Sequence, residues 1–173
     1  MVIGYDKKAP TNDQLNQMKA ILKQSLDQGA LGFSSGLVYL PGRFADTAEV
    51  QALATVLQGT VKPYCTHLRD ENAGIIEALQ EAAAIASSGS KRLHVSHLKI
   101  SGGPAHWPKY DATVATLAAA RDAGVMVTAD CYPYVFCETS LRQVMPEPYV
   151  DIHDLKKLFQ ERPEAKADAI KAL

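Results

Sequence analysis

Lys62-Pro63-Tyr64-Cys65-Thr66-His67 and Arg92-Leu93-His94-Val95-Ser96-His97-Leu98 are two apolar-rich runs of strand length, about 30 residues apart. Each carries a histidine at or just before its end. Between them, Ile75, Ile76, Leu79 and Ile85 recur at helical spacing from about Ala73 to Ser87, and Ser88-Gly89-Ser90 breaks the pattern. Pro63 is tolerable because it stands at the beginning of its strand. Strand, helix and strand in this rhythm indicate βα units in a parallel sheet with right-handed crossovers.

The rhythm extends in both directions. Upstream, Leu15, Met18, Ile21, Leu22 and Leu26 share one helical face between Thr11 and Gln28, with Thr11 and Gln14 as a capping box and Gly29 as the stop. Ala30 to Leu37 suits a buried strand, and Asp46 with Glu49 caps a second helix carrying Val50, Leu53, Ala54 and Leu57. Downstream, a loop from Ser101 to Pro108 leads to a helix from about Asp111 to Ala123, and Val125 to Asp130 forms a fourth strand. After Tyr134 the pattern is lost and Asp151 onward is polar and helix-prone. The expected organisation is a main α/β unit over 1–140 and a helical tail over 141–173. A closed (β/α)8 barrel needs about 200 residues or more, so length leaves half a barrel and a small open sheet both standing.

The 173 residues suffice for one ordinary core. Eighteen basic against 19 acidic residues give a net charge of -1, which offers no broad attraction for nucleic acid or an anionic membrane. A small-molecule partner is the better expectation. No apolar run approaches the roughly 18 residues of a membrane span, and Met1 to Asp6 lack the features of a signal peptide. A cytoplasmic setting is expected. Cys65, Cys131 and Cys137 form neither a disulfide framework nor a CxxC pair.

Ligands bind parallel α/β sheets at the C-terminal strand ends. Those ends present Ser34-Ser35, Thr66 to Glu71, Ser96 to Lys99 and Ala129 to Tyr134. His67 and His97 would lie side by side on successive strands, and neutral imidazoles suit Zn2+. A lone histidine there is more often a hydrogen-bonded polar residue; two in register make metal ligation an even alternative. His94, one position out of phase with His97, is expected on the opposite face of its strand. His106 and His153 read as structural or solvated. Lys99 and Arg69 offer cations for a substrate carboxylate, against a solvated loop lysine for Lys99 and pairing with Asp70 or Glu71 for Arg69. Tyr132 offers a phenol over the same pocket or a packed turn. Asp130 reads equally as ligand, base or acceptor of backbone N–H bonds, and Cys65, one layer below His67, as core.

Gly29-Ala30-Leu31-Gly32-Phe33-Ser34-Ser35-Gly36-Leu37, Thr66-His67-Leu68-Arg69-Asp70-Glu71, Ser96-His97-Leu98-Lys99 and Asp130-Cys131-Tyr132-Pro133-Tyr134 resemble, in order and spacing, the D-aminoacylases, the N-acyl-D-amino-acid deacylases of the amidohydrolase superfamily. The resemblance covers roughly residues 1 to 140. It implies a metal-dependent (β/α)8 barrel of which this chain supplies about strands four to seven. It also implies zinc on His67 and His97, a substrate α-carboxylate on Lys99 and Tyr132, and hydrolysis of N-acyl-D-amino acids by a metal-activated water. The family's His-x-His of strand one, bridging Cys of strand two and catalytic Asp of strand eight have no counterpart here. No residue of this chain is therefore expected to be the catalytic proton shuttle, and Asp130, on strand seven, does not replace it. Met1-Val2-Ile3-Gly4 resembles an interior stretch of these enzymes, and the tail from about Leu141 the start of their insertion after strand seven. An inactive central fragment is expected. Two other readings stand beside it: a non-catalytic binding or interaction module, self-associating through open sheet edges, and a lyase with Lys99 as Schiff-base nucleophile.

Overall fold

The computed structural model describes residues 2–5 and 8–172; Met1 and Asp6 of the amino-terminal stretch read above lie outside them. Four βα-type repeats are present. Helix α1 (Asn12–Asp27) precedes β1 (Phe33–Gly36), α2 (Thr47–Ala54), β2 (Tyr64–His67), α3 (Ile75–Ser88), β3 (Arg92–Val95), α4 (Tyr110–Asp122) and β4 (Met126–Ala129). The strands form one parallel sheet in the order β1-β2-β3-β4, as the alternating pattern requires.

Local chemistry sets the boundaries. The Thr11 hydroxyl accepts from the Gln14 N–H at 3.2 Å, and the Gln14 side chain accepts from the Thr11 N–H at 2.9 Å. Asp46 caps α2 by accepting from the Glu49 N–H at 2.8 Å. Gly32 leads into β1 where the chain passes Pro63 so closely that a Cβ would lie 2.5 Å from the Pro63 carbonyl oxygen. The four strands are each four residues long, shorter than the apolar runs suggested.

Register divides the sheet into two unlike faces. Phe33, Tyr64, Leu93 and Val127 pair across the four strands, and Ser35, Thr66 and Val95 pair one row above. Tyr64, Thr66, Leu93, Val95 and Val127 of these rows are buried, within a core that α3 enters with Ile75, Leu79 and Ile85. The alternate row, Ser34, Cys65, His94 and Thr128, runs along the other face, and there the side chains are half-buried or exposed. A parallel sheet ordinarily has both faces covered; this one covers one.

The chain divides into two compact units, one ending at Tyr132 and one from Pro133 onward, eight residues earlier than the boundary expected at 140. The second contains α5 (Leu155–Glu161) and α6 (Pro163–Lys171), with Ala165 and Ala169 buried. Among the described residues no helix is long and apolar enough to cross a membrane.

Leu93, 1% exposed at the centre of the covered face, is the sharpest probe of this layering. Leu93→Ala should lower unfolding free energy by about 2–5 kcal/mol, read from the urea midpoint.

Candidate metal centre

Parallel register brings β2 and β3 to the same height, with Thr66 opposite Val95. Beyond that row, Ser96 N–H donates to the Thr66 carbonyl at 3.0 Å, and the chain turns. His97 has φ +40°, in the left-handed region that a non-glycine residue rarely takes. The turn carries its ring to His67: Nδ1 of His67 and Nε2 of His97 are in hydrogen-bond contact, with ring centroids 4.5 Å apart. The pair expected from the strand ends is brought together.

Charged side chains surround the pair. Glu71 Oε1 lies 3.0 Å from His97 Nδ1. Glu71 also binds the Lys99 ammonium through Oε2, and Lys99 Nζ sits 3.1 Å from His97 Nδ1 and 5.8 Å from the centre of the Tyr132 ring. Lys99 and Tyr132 thus flank the pair. Burial first, and the neighbouring His97 second, pull the His67 imidazole below its ordinary pKa, which favours the neutral form that a metal needs. Tyr39 meets the His67 ring edge-on at 5.6 Å. Gly36 makes room for it, since a Cβ there would lie 2.8 Å from the Tyr39 ring.

Arg69 stands apart from this group. Its Nε and Nη2 donate to Glu81 at 2.9 and 2.8 Å, and its remaining bonds go to the carbonyls of Arg43 and Ala45 at 3.1 and 2.8 Å. Glu81 also accepts from Thr47 at 2.8 Å. The guanidinium therefore ties α3 to the loop after β1, with α2 joined through Thr47, and four of its five N–H groups are committed to these bonds.

His94 corrects the alternation argument. It pairs across the sheet with Cys65 and Thr128, on the same face as His67, because the turn at His97 breaks the odd-even phase. Its Nδ1 is 2.9 Å from the Thr128 hydroxyl and its Nε2 is 2.8 Å from Asp130 Oδ2. Asp130 Oδ1 accepts from the His97 N–H. These bonds, that with His94 foremost, hold the Asp130 carboxyl below the usual range. Cys65 is half-buried, and burial raises its thiol pKa.

Glu71, Glu81 and Tyr39 are the participants that sequence reasoning passed over. Glu71 had a signal, being an acid in the strand-end stretch that holds His67. Tyr39 had none beyond its place in the loop after β1. Among the described residues no three of His, Cys, Asp and Glu gather closely enough to hold a metal ion. Two converging imidazole nitrogens fit zinc chemically, but as part of a site, since catalytic zinc ordinarily has three protein ligands.

Two measurements check this arrangement. Arg69→Met should lower unfolding free energy by about 2 kcal/mol without altering ligand binding at the histidine pair; intact stability with lost binding would place Arg69 in the site instead. Below about pH 6.5, the unfolded-state His67 takes up a proton that the folded one declines. Stability should accordingly fall as pH falls through that value, and the drop should shrink in His67→Gln.

No family model matches the chain. It is 35% identical to the N-acyl-D-glutamate deacylase of Alcaligenes xylosoxydans xylosoxydans, over 85% of this chain and 29% of that protein. Among solved structures, the N-acyl-D-glutamate deacylase of Bordetella bronchiseptica, complexed with zinc and a phosphonate mimic of the tetrahedral intermediate, superposes with a TM-score of 0.69 at 38% identity. That match covers 75% of this chain and 27% of that one. A D-aminoacylase described as defining a novel subset of amidohydrolases gives a TM-score of 0.70 at 32% identity, over 78% and 28%. The chain spans less than a third of the length of each. In the segment they share, which includes a parallel α/β sheet, the chain is similar to the D-aminoacylases and N-acyl-D-amino-acid deacylases.

Proposed function

We propose that this chain is the central segment of a zinc-dependent N-acyl-D-amino-acid deacylase, providing strands four to seven of its barrel. The observation that carries the reading is the convergence of His67 Nδ1 and His97 Nε2 at the C-terminal ends of adjacent parallel strands. The uncovered sheet face supports it, since the missing strands of a barrel would enclose that face. The tail from about Leu141 is then the start of an insertion after strand seven.

His67 and His97 would hold the zinc, whose contribution when bound is to activate water and polarise the scissile carbonyl. Glu71 orients the His97 ring through its contact at Nδ1. Lys99 supplies the cation for the substrate α-carboxylate, with the Tyr132 phenol beside it. Glu71 neutralises that cation in the structure, so an arriving carboxylate must share or replace an existing partner. Proton transfer to the leaving amine needs an acid outside this group, because both carboxylate oxygens of Asp130 are engaged by His94 and His97. The isolated chain is therefore a binder without turnover.

Zinc titration of the purified chain tests this. Weak 1:1 binding is expected, abolished in the double variant His67→Ala plus His97→Ala, and no release of D-glutamate from N-acetyl-D-glutamate. Zinc binding that survives the double change would sink the metal assignment; rapid deacylation by the chain alone would sink the claim of incompleteness.

A further inference from the structure

A regular continuation of β3 would place His97 on the side of Val95, two residues earlier, and Val95 is buried on the helix-covered face. The His97 ring instead appears at the strand end, against His67. The left-handed backbone of His97 makes this switch, and no glycine, the residue that takes it without steric cost, stands at that position. Something outside the turn must hold it.

Asp130 meets that requirement at four points. Its carboxylate Oδ1 accepts from the His97 N–H, and its carbonyl accepts from the Leu98 N–H at 2.9 Å. Its own N–H donates to the Val95 carbonyl at 3.2 Å. Oδ2 is braced by His94 Nε2 at 2.8 Å, and His94 is braced in turn by Thr128 at 2.9 Å. The bonds bracket the turn from Val95 to Leu98. Although its side chain is 58% exposed, neither carboxylate oxygen lacks a partner.

We propose that Asp130 is a positioning residue: its carboxylate, braced by His94, locks the left-handed turn that swings His97 from the covered face of the sheet to His67. Its functional weight rests on the reading of the two histidines as metal ligands, but the conformational claim does not. Asp130→Ala removes the acceptor, while Asp130→Asn retains an oxygen for the His97 N–H.

In the metal-free chain, nitrogen-15 NMR of Asp130→Ala should show the His97 amide shifted upfield and exchanging faster with solvent, with the Leu93 and Val95 amides unmoved. Cobalt affinity should fall about 10- to 100-fold, the effect typical of losing a group that orients a ligand, and Asp130→Asn should keep most of it. Should Asp130→Ala fail to fold, His94→Phe removes the brace alone and should weaken cobalt binding while leaving the fold. An unmoved His97 amide in Asp130→Ala, or Asp130→Asn as damaging as Asp130→Ala, overturns the proposal. Absence of cobalt binding by the unaltered chain would overturn the metal reading and leave the amide result to decide this one.

Discussion

The parallel register of β2 and β3 is the constraint on which the other features rest. Tyr64 opposite Leu93 and Thr66 opposite Val95 do two things with one set of backbone bonds. They stack the apolar residues into rows that α3 covers, and they bring two chain segments to one level at the strand ends. A slip of one residue would exchange the faces, burying Cys65 and His67 while exposing Tyr64 and Thr66. The hydrophobic pattern thus protects the geometry of the polar pair. Tyr64 adds a polar lock, its hydroxyl 2.7 Å from the Ser35 hydroxyl, which is itself 3.1 Å from that of Thr66.

Much of this architecture was legible because the signals are local. Helix starts at Thr11 and Asp46 follow from caps that reach three residues along the chain, and the strands follow from short apolar runs between breakers. The meeting of His67 and His97 was legible too, because strand-end position in a parallel sheet is a property of the repeat. What escaped depends on bonds between distant segments. Arg69 reads as an available cation until Glu81, twelve residues on, is brought to it by α3. His94 reads as pointing away until the left-handed residue at 97 resets the phase, and histidine signals such a turn more weakly than glycine would have done.

Electrostatics at the pair is balanced by near neighbours instead of by the protein as a whole, whose net charge is -1. Glu71 serves His97 and Lys99 at once, and Asp130 serves the His97 amide and His94. Each carboxylate thus fixes one histidine group while engaging a second cationic or titratable side chain.

Both imidazoles and Glu71 belong to a single strand-helix-strand segment, from Tyr64 to His97. In folding terms, closing one loop of about 30 residues brings them together, an entropic penalty that grows only slowly with loop length. Docking of β3 on β2 therefore sets the two strand ends at one level early, and the His97 turn is held once β4 brings Asp130 to it. The level of the strand ends is thus set early in the order of assembly, and the orientation of the pair last.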